Sequence, residues 1–447
     1  MRHKPGTILL TCAVLLTLAC ANPALEHLEQ GDTYRDRGQW DEAIIEYGQA
    51  VELDPNLAIA HNNRGYVYCN KGEWELAIAD LDRAIELDPN MAQAYKNRGW
   101  AYCGKGQWEP GIADLSKAIE LDPNMAQACY HRGVAYGVKG QWDLAIADLD
   151  KAIELEPDYA MAYNNRGYAY GEKEQWDLAM ADLSKAIKLD PTLAVAYYNR
   201  GSIYDAQGQW DLAIADLSKT IELDPGYAMA YNNRGWAYVN KGQWDLAIAD
   251  LSRAVEINPN LAEAYKNRGY AYGEKGQWNL AVADYTKVIE LNPGLAHAYN
   301  NRGFAYGNSG QWDLAIADLS KAIELNPDYA LAYYNRGRIY NTLERWELGI
   351  ADLNKAIELA PDYAMAYNNR GSAYSNNGQY DLAIADLSKA IELNPDYALA
   401  YYNRGNAYRI SGQTDLAIAD YNKVFEMSSN PDLIQAARQR IEELEGK

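Results

Sequence analysis

Histidine is scarce in this chain, and what there is does not cluster. The five residues, His3, His27, His61, His131 and His297, fall in different segments. No pair among them has the spacing of a metal site or of a base with its partner. Cys129 and His131 are two apart in a helical stretch and so point away from each other. Glycine-rich phosphate loops, HExxH and nucleophile elbows are missing as well. These absences predict a protein that is not an enzyme and that takes no cofactor and no metal.

Basic charge is also in deficit, at 41 Lys and Arg against 62 Asp and Glu, for a net charge of −21. Such a surface repels phosphate backbones, which excludes nucleic acid as the main partner, and it sits poorly on anionic lipid without an anchor. Long apolar runs are lacking save one, Thr7 to Cys20 behind Arg2 and Lys4. That run is too short to span a bilayer comfortably and reads as an export signal over residues 1–21. Two cleavage readings compete. Thr17-Leu18-Ala19-Cys20 resembles a bacterial lipobox, which leaves Cys20 lipidated. Ala19-Cys20-Ala21 instead fits the small-x-small rule of ordinary signal peptidase, with cleavage after Ala21. The expected location is the periplasmic side of the envelope, as a membrane-anchored lipoprotein or else as a soluble periplasmic or secreted protein. Membrane contact then runs only through the N-terminal lipid.

What the chain does have is one line written many times. Ala296–Tyr329, AHAYNNRGFAYGNSGQWDLAIADLSKAIELNPDY, recurs with small changes every 34 residues, in twelve copies that start between Ala24 and Ala398. Self-similarity at this period means stacked helix pairs, each copy packing only on its neighbours. The first helix carries small or apolar residues at Tyr299, Gly303 and Tyr306. The second, from Trp312, places Ala315, Leu319, Ala322 and Ile323 on one stripe. Gly310-Gln311 breaks the pair, and Asn326-Pro327 ends it by removing a donor and fixing φ. Helices this short are marginal alone, so their stability must come from stacking. After the last copy, residues 432–447 show Leu433, Ala437, Ile441 and Leu444 on one face, a helix that caps the open end. Cysteine is too thin for a disulfide framework: beyond the N-terminal segment there are only Cys69, Cys103 and Cys129. Cys69 and Cys103 hold the same place in successive copies, too far apart to bridge, and read as small buried thiols.

Gly303, Tyr306, Ala315, Leu319, Ala322 and Pro327 resemble the tetratricopeptide pattern, and the resemblance runs from Ala24 to about Pro431. It implies an all-α, right-handed α-solenoid (a superhelix) of twelve helix-turn-helix repeats over residues 24–431 plus the capping helix. Two positions depart from the family throughout: Arg302 stands where a leucine is usual, and Trp312 opens the second helix. Single copies depart further. The fifth has Glu174 at its joint glycine, and the tenth has Glu344-Arg345 there and Gly349 in a small-residue slot. The third has Pro110-Gly111 for Leu-Ala, which should loosen packing at that point.

Two recurring polar sets bear on function. Arg302 and Asp318, with their equivalents from Arg64 and Asp80 to Arg404 and Asp420, stand so that the two helices of one copy can join them; the first copy has Gln30 and Glu46 instead. Asn63, Asn97, Asn165, Asn199, Asn233, Asn267, Asn301, Asn335, Asn369 and Asn403 share one position of the first helix, with His131 interrupting the run. The run resembles the amide ladder of the superhelical part of O-linked N-acetylglucosamine transferases, whose catalytic half has no counterpart here. That resemblance implies amides gripping the backbone of an extended peptide in a concave groove. An amide suits the task because it donates and accepts alike. Tyr66, Trp100, Tyr168, Trp236, Tyr270 and Phe304, three positions on, add flat apolar surface for anchor side chains. The alternative is that the asparagines are solvated or structural and that the aromatics pack between copies. Basic residues near this face are few: Arg35, Lys96, Lys266, Arg338 and Arg409. Lys96 and Lys266 have asparagine neighbours, a partial likeness to the family's carboxylate clamp. The expected partners are proteins or peptides, held on a scaffold in an envelope assembly; a structural spacer, or an accessory that presents substrates to a separate enzyme, is the alternative.

Overall fold

The computed structural model of the chain describes residues 22–446. The leader assigned to residues 1–21, with Cys20, lies outside them. Twenty-five α-helices and no strand occur among the described residues, and contacts divide the chain into two compact halves, residues 1–224 and 225–447. The first half holds six hairpins, from Pro23–Asp36 with Trp40–Leu53 to Ala194–Ala206 with Trp210–Leu223. The second holds six more, from Ala228–Asn240 with Trp244–Ile257 to Ala398–Ile410 with Thr414–Met427, followed by the helix Pro431–Glu445. Within each half every hairpin packs on the next, which is the all-α solenoid arrangement. No helix among the described residues is long and apolar enough to cross a membrane.

Each hairpin is shaped by a few residues. Gly310, at φ 78°, ends the first helix in the left-handed region that favours glycine. Asn326 ends the second in extended backbone, and its side chain accepts the Asp328 N–H at 3.1 Å, which holds the turn before the next repeat. Between these ends Ala315, Leu319 and Ala322 are fully buried. A Cβ on Gly303 would lie 2.9 Å from Leu319 Cγ and 3.2 Å from the Ala315 carbonyl oxygen, so glycine there sets how closely the two helices approach. At the C-terminal end, Asn430 caps Pro431–Glu445 by accepting from the N–H groups of Asp432 and Leu433. Ala437, Leu433, Ile441 and Leu444 then cover Tyr421 and Val424 of the last hairpin.

The arginine in the usual leucine place is the main polar fastening. Arg302 Nε and Nη2 donate to the two oxygens of Asp318 at 2.7 and 2.9 Å, a bidentate fork between the helices of one hairpin. The remaining nitrogen, Nη1, donates to Thr286 Oγ1 at 3.1 Å, on the second helix of the preceding hairpin. Tyr299 and Tyr306 flank the guanidinium, their ring centroids 5.7 and 5.8 Å from it. The fork recurs from Arg64–Asp80 to Arg404–Asp420. Both partners are largely shielded, so removing one arginine should cost about 3 kcal/mol, more than an exposed pair is worth. Asp80 shows the electrostatic balance: burial pushes its carboxyl up, but hydrogen bonds from Arg64 and His61 outweigh that and hold it low. For Asp284, burial wins over Arg268 alone, and the carboxyl is raised. In the first repeat Glu46 takes His27, at 2.6 Å, in place of an arginine.

The irregular repeats are compensated locally. Gly111 does not loosen its hairpin, because Cys103 Sγ lies 2.5 Å from where a Cβ would be and fills the space. Gly349 faces Asn341 in the same way. Cys69 and Cys129 are buried, Cys103 is partly so, and all three thiols are free. Burial pushes the Cys69 thiol up to about 12 and Cys103 up to about 11. Glu174 and Glu344 both adopt φ 57° at the joint where the other repeats have glycine. A left-handed non-glycine residue is strained by about 1–2 kcal/mol, while glycine loosens the unfolded chain by about 0.4–1 kcal/mol. Glu174→Gly and Glu344→Gly should therefore each stabilise the chain, by roughly 0.5–1 kcal/mol. A rise in the urea midpoint of each variant is the expected outcome, and a fall would show that the joint is not strained.

Candidate functional site

The face of interest is built from the first helices. Along Ala330–Thr342, Leu331, Asn335, Arg338 and Thr342 fall at i, i+4, i+7 and i+11, which places them on one side. The asparagine row and the aromatic row share that side. They do not share one environment.

Half of the asparagines of the row donate to another asparagine on the first helix of the preceding hairpin. Asn335 Nδ2 donates to Asn300 Oδ1 at 2.9 Å across two hairpins, and Asn300 Nδ2 donates to Asn301 Oδ1 at 3.2 Å within its own. Asn97 with Asn62, Asn199 with Asn164, Asn267 with Asn232, and Asn403 with Asn368 repeat the first bond. Asn165 donates to the Tyr130 hydroxyl and Asn63 to Asp32, and Asn369 is bonded to the Tyr334 hydroxyl. Asn63, Asn97, Asn267 and Asn335 are 8%, 0%, 6% and 3% exposed, so these four are closed to a peptide and serve as inter-hairpin fastenings. The other six are half-buried. The partner row, Asn62, Asn164, Asn232, Asn300 and Asn368, was not singled out from sequence, although it recurs beside the ladder.

Asn301 differs because of what precedes it. The residue that supplies an acceptor elsewhere is Lys266 here, an ammonium with no lone pair, paired instead with Glu263. The Asn301 Nδ2 group has no hydrogen-bond partner among the described residues, and its half-buried side chain lines a cavity of about 410 Å³. Tyr270, Trp278, Phe304, Tyr334 and Arg338 line it too. The Arg338 guanidinium lies 5.0 Å from the Phe304 ring centroid and is ion-paired with no described residue. Desolvation raises the Tyr334 hydroxyl, which stays neutral. The site thus offers apolar walls, one free amide donor and one cation, with the Glu274 carboxylate also at its rim.

The aromatic row is both surface and packing. Tyr168 and Tyr270 are 46% and 43% exposed, while Trp236, Phe304, Trp100 and Tyr66 are partly covered. Four of the six rings, Trp100, Tyr168, Tyr270 and Phe304, meet a second-helix tryptophan edge-on, as in Trp278 with Phe304 at 6.0 Å and Trp244 with Tyr270 at 6.4 Å. Tyr66 meets Trp100 at 6.1 Å, and Trp236 meets Tyr270 at 6.4 Å.

Comparison with known proteins follows the repeats. A family profile described as TPR repeat matches residues 31–72, 65–106, 138–174, 170–208, 235–276 and 337–378. Two described as Tetratricopeptide repeat match 92–125, 194–227, 262–295, 296–329 and 364–397, and 217–249, 319–351 and 387–419. No curated relative matches. Among solved structures, the APC/C hetero-tetramer Cut9-Hcn1 is similar with a TM-score of 0.51 at 16% identity, over 93% of this chain and 97% of that one, a likeness of fold. YrrB, described as a TPR protein with an unusual peptide-binding site, is 30% identical over 41% of this chain and 95% of its own, with a TM-score of 0.38. A tetratricopeptide repeat protein from Parabacteroides merdae ATCC 43184 is 20% identical over 55% of this chain and 96% of its own, with a TM-score of 0.47.

Lys96, one of the basic residues near this face, is not open to a ligand. It is 3% exposed, donates to Gln127 Oε1 at 2.9 Å and lies 5.8 Å from the Tyr66 ring centroid, with no carboxylate beside it. Burial lowers its ammonium from 10.5 to about 8. Below the folded value the folded state carries a buried charge at a disadvantage. The disadvantage fades as pH climbs from about 8 to 10.5, where the unfolded chain loses the same proton. Lys96→Met should therefore stabilise the chain at pH 7 by on the order of 2 kcal/mol. It should also remove the gain in stability that the native chain shows on going from pH 7 to pH 10. Urea unfolding at the two pH values reads both effects, and a variant less stable at pH 7 would refute the assignment.

Proposed function

The chain belongs to the tetratricopeptide repeat family, and we propose that it holds extended segments of partner proteins on its first-helix face without catalysing a reaction, as a scaffold in a cell-envelope assembly. Protein interaction is the coarse role that the repeats establish. The observation that carries the finer reading is Asn301, whose amide donor is left over beside an aromatic cavity while eight of its counterparts are engaged by the preceding hairpin. A peptide carbonyl satisfies such a donor whatever the side chains of the peptide are. Affinity is expected to be on the order of micromolar, because ordering a flexible segment offsets much of the contact energy.

Peptides selected by display on the full chain, then labelled for fluorescence anisotropy, test this directly. Asn301→Ala should weaken them about fivefold, as one lost hydrogen bond does, and Phe304→Ala should weaken them further. Asn267→Ala should lower stability and leave binding alone, since Asn267 faces Asn232 and not the groove. A structural spacer would select no peptide, or would bind one indifferently to all three changes.

The envelope part rests on the leader and is tested apart from the groove. Mass spectrometry of the mature protein from a bacterial host should find an acylated Cys20 at the N terminus. A mature chain that begins at Asn22 would replace the lipid anchor with simple export, and an uncleaved chain would remove both.

A further inference from the structure

Between consecutive hairpins lies a slot whose contents vary from repeat to repeat. Its floor is the twelfth residue of one repeat and its roof the tenth residue of the next. Cys69 fills it beneath Ala101, and Val239 fills it beneath Ala271. Asn341 fills another and donates to the Asn369 carbonyl at 3.0 Å. Where the floor is Gly171 or Gly307 the roof is isoleucine: Ile203 Cδ1 lies 3.5 Å, and Ile339 Cδ1 3.2 Å, from the glycine's Cβ direction. Gly273 under Ala305 and Gly137 under Ala169 have neither filler; the Trp278 and Trp142 rings stand beside them, 3.3 and 3.6 Å from the glycines' Cβ positions, and each slot opens into a cavity of about 410 Å³. These openings are therefore places where the fold's own packing device has been left out. Close-packed interiors do not leave such room as a rule.

We infer that the Gly273–Ala305 slot is an anchor pocket for one leucine- to phenylalanine-sized side chain, carried on an extended peptide with a carboxylate beside that anchor. The inference rests on the groove reading and names its ligand. The volume suits one such side chain with some adjoining backbone. Trp278, Tyr270 and Phe304 supply apolar walls, and the free Asn301 amide stands where the backbone of the anchor would pass. Arg338, stacked on Phe304 without an ion pair, selects the carboxylate. Glu274, the other charged residue at the rim, accepts from the Tyr270 hydroxyl and is thereby turned to its own helix. The Gly137–Ala169 opening shares the aromatic walls, through Trp142 and Tyr168, but lacks the polar equipment: no cation lines it, and its asparagine, Asn165, already donates to Tyr130. It is the built-in comparison, space without recognition.

A phage-displayed random dodecapeptide library panned on the full chain provides the probe, with selected sequences synthesised and measured by anisotropy. The selected peptides should share an aliphatic or aromatic residue with Asp or Glu within two positions. Ala305→Ile copies the native Ile339-over-Gly307 packing, and Gly273→Val copies Val239 beneath Ala271, so both close the slot with side chains the fold already accepts. Each should weaken the selected peptides about tenfold or more, the effect of denying burial to one such side chain, with the helical melt unchanged. Gly137→Val, which fills the comparison opening, should change nothing. Arg338→Gln should weaken the acidic peptides and flatten their salt dependence. Peptides that lose affinity on Asn301→Ala, but show no apolar consensus and are indifferent to Ala305→Ile and Gly273→Val, would overturn the slot and leave the groove standing. Failure to select any peptide would remove both readings.

Discussion

From the second repeat on, the guanidinium of one arginine in each repeat holds the stack in register. Two of its nitrogens bind the aspartate of the same hairpin, the third reaches the previous hairpin, and tyrosines close over it on two sides. A leucine in that place would pack but would not choose among neighbours. The planar fork accepts only one arrangement of three helices, so a sequence repeated almost word for word still stacks each copy in one way. The glycine one residue later complements it, because the helices must approach closely enough for the fork to reach across.

A second polar system runs along the same helices and does similar work by other means. Amides of adjacent hairpins donate and accept in turn, so that Asn300 is bonded on both sides, to Asn301 and from Asn335. Such a chain satisfies most of the buried amide groups at the junctions, where leaving them alone would be costly; Asn97 Oδ1 is the exception in the ladder. It also makes most of the row unavailable to anything else. A regular ladder is therefore chiefly structure, and its functional content lies where the regularity fails. Lys266 breaks the chain because an ammonium cannot accept, and the next amide, Asn301, is left with a donor to offer. Lys96 stands at the same place in another repeat, where His131 takes the asparagine's position and lies stacked on Trp100 at 5.5 Å.

The fold was nearly all legible in the sequence, since helix, joint and turn repeat with their own local signals at Gly310, Asn326 and Pro327. The arginine–aspartate pairing was legible too, because sixteen residues separate the two on facing helices of one hairpin. The third nitrogen's bond to the preceding hairpin was not, as it depends on how successive hairpins are offset. The same offset decides which residue of the preceding hairpin each amide meets: Asn335 is buried against Asn300, whereas Asn301, followed by the same Arg-Gly, has Lys266 in that place and is half-open. Gly111 misled for a related reason: read alone it promised a gap, and Cys103 fills that gap from the facing helix.

From the residues alone came the period, the two-helix repeat, the acidic surface and the kinds of side chain on the first helix, because each is a local or additive property of the chain. Only the tertiary structure decided which amides are taken by neighbours and which slot stands empty. Those depend on pairs of residues from different repeats, such as Gly273 with Ala305 against Gly307 with Ile339, and a repeating sequence does not say which member of one copy meets which member of the next.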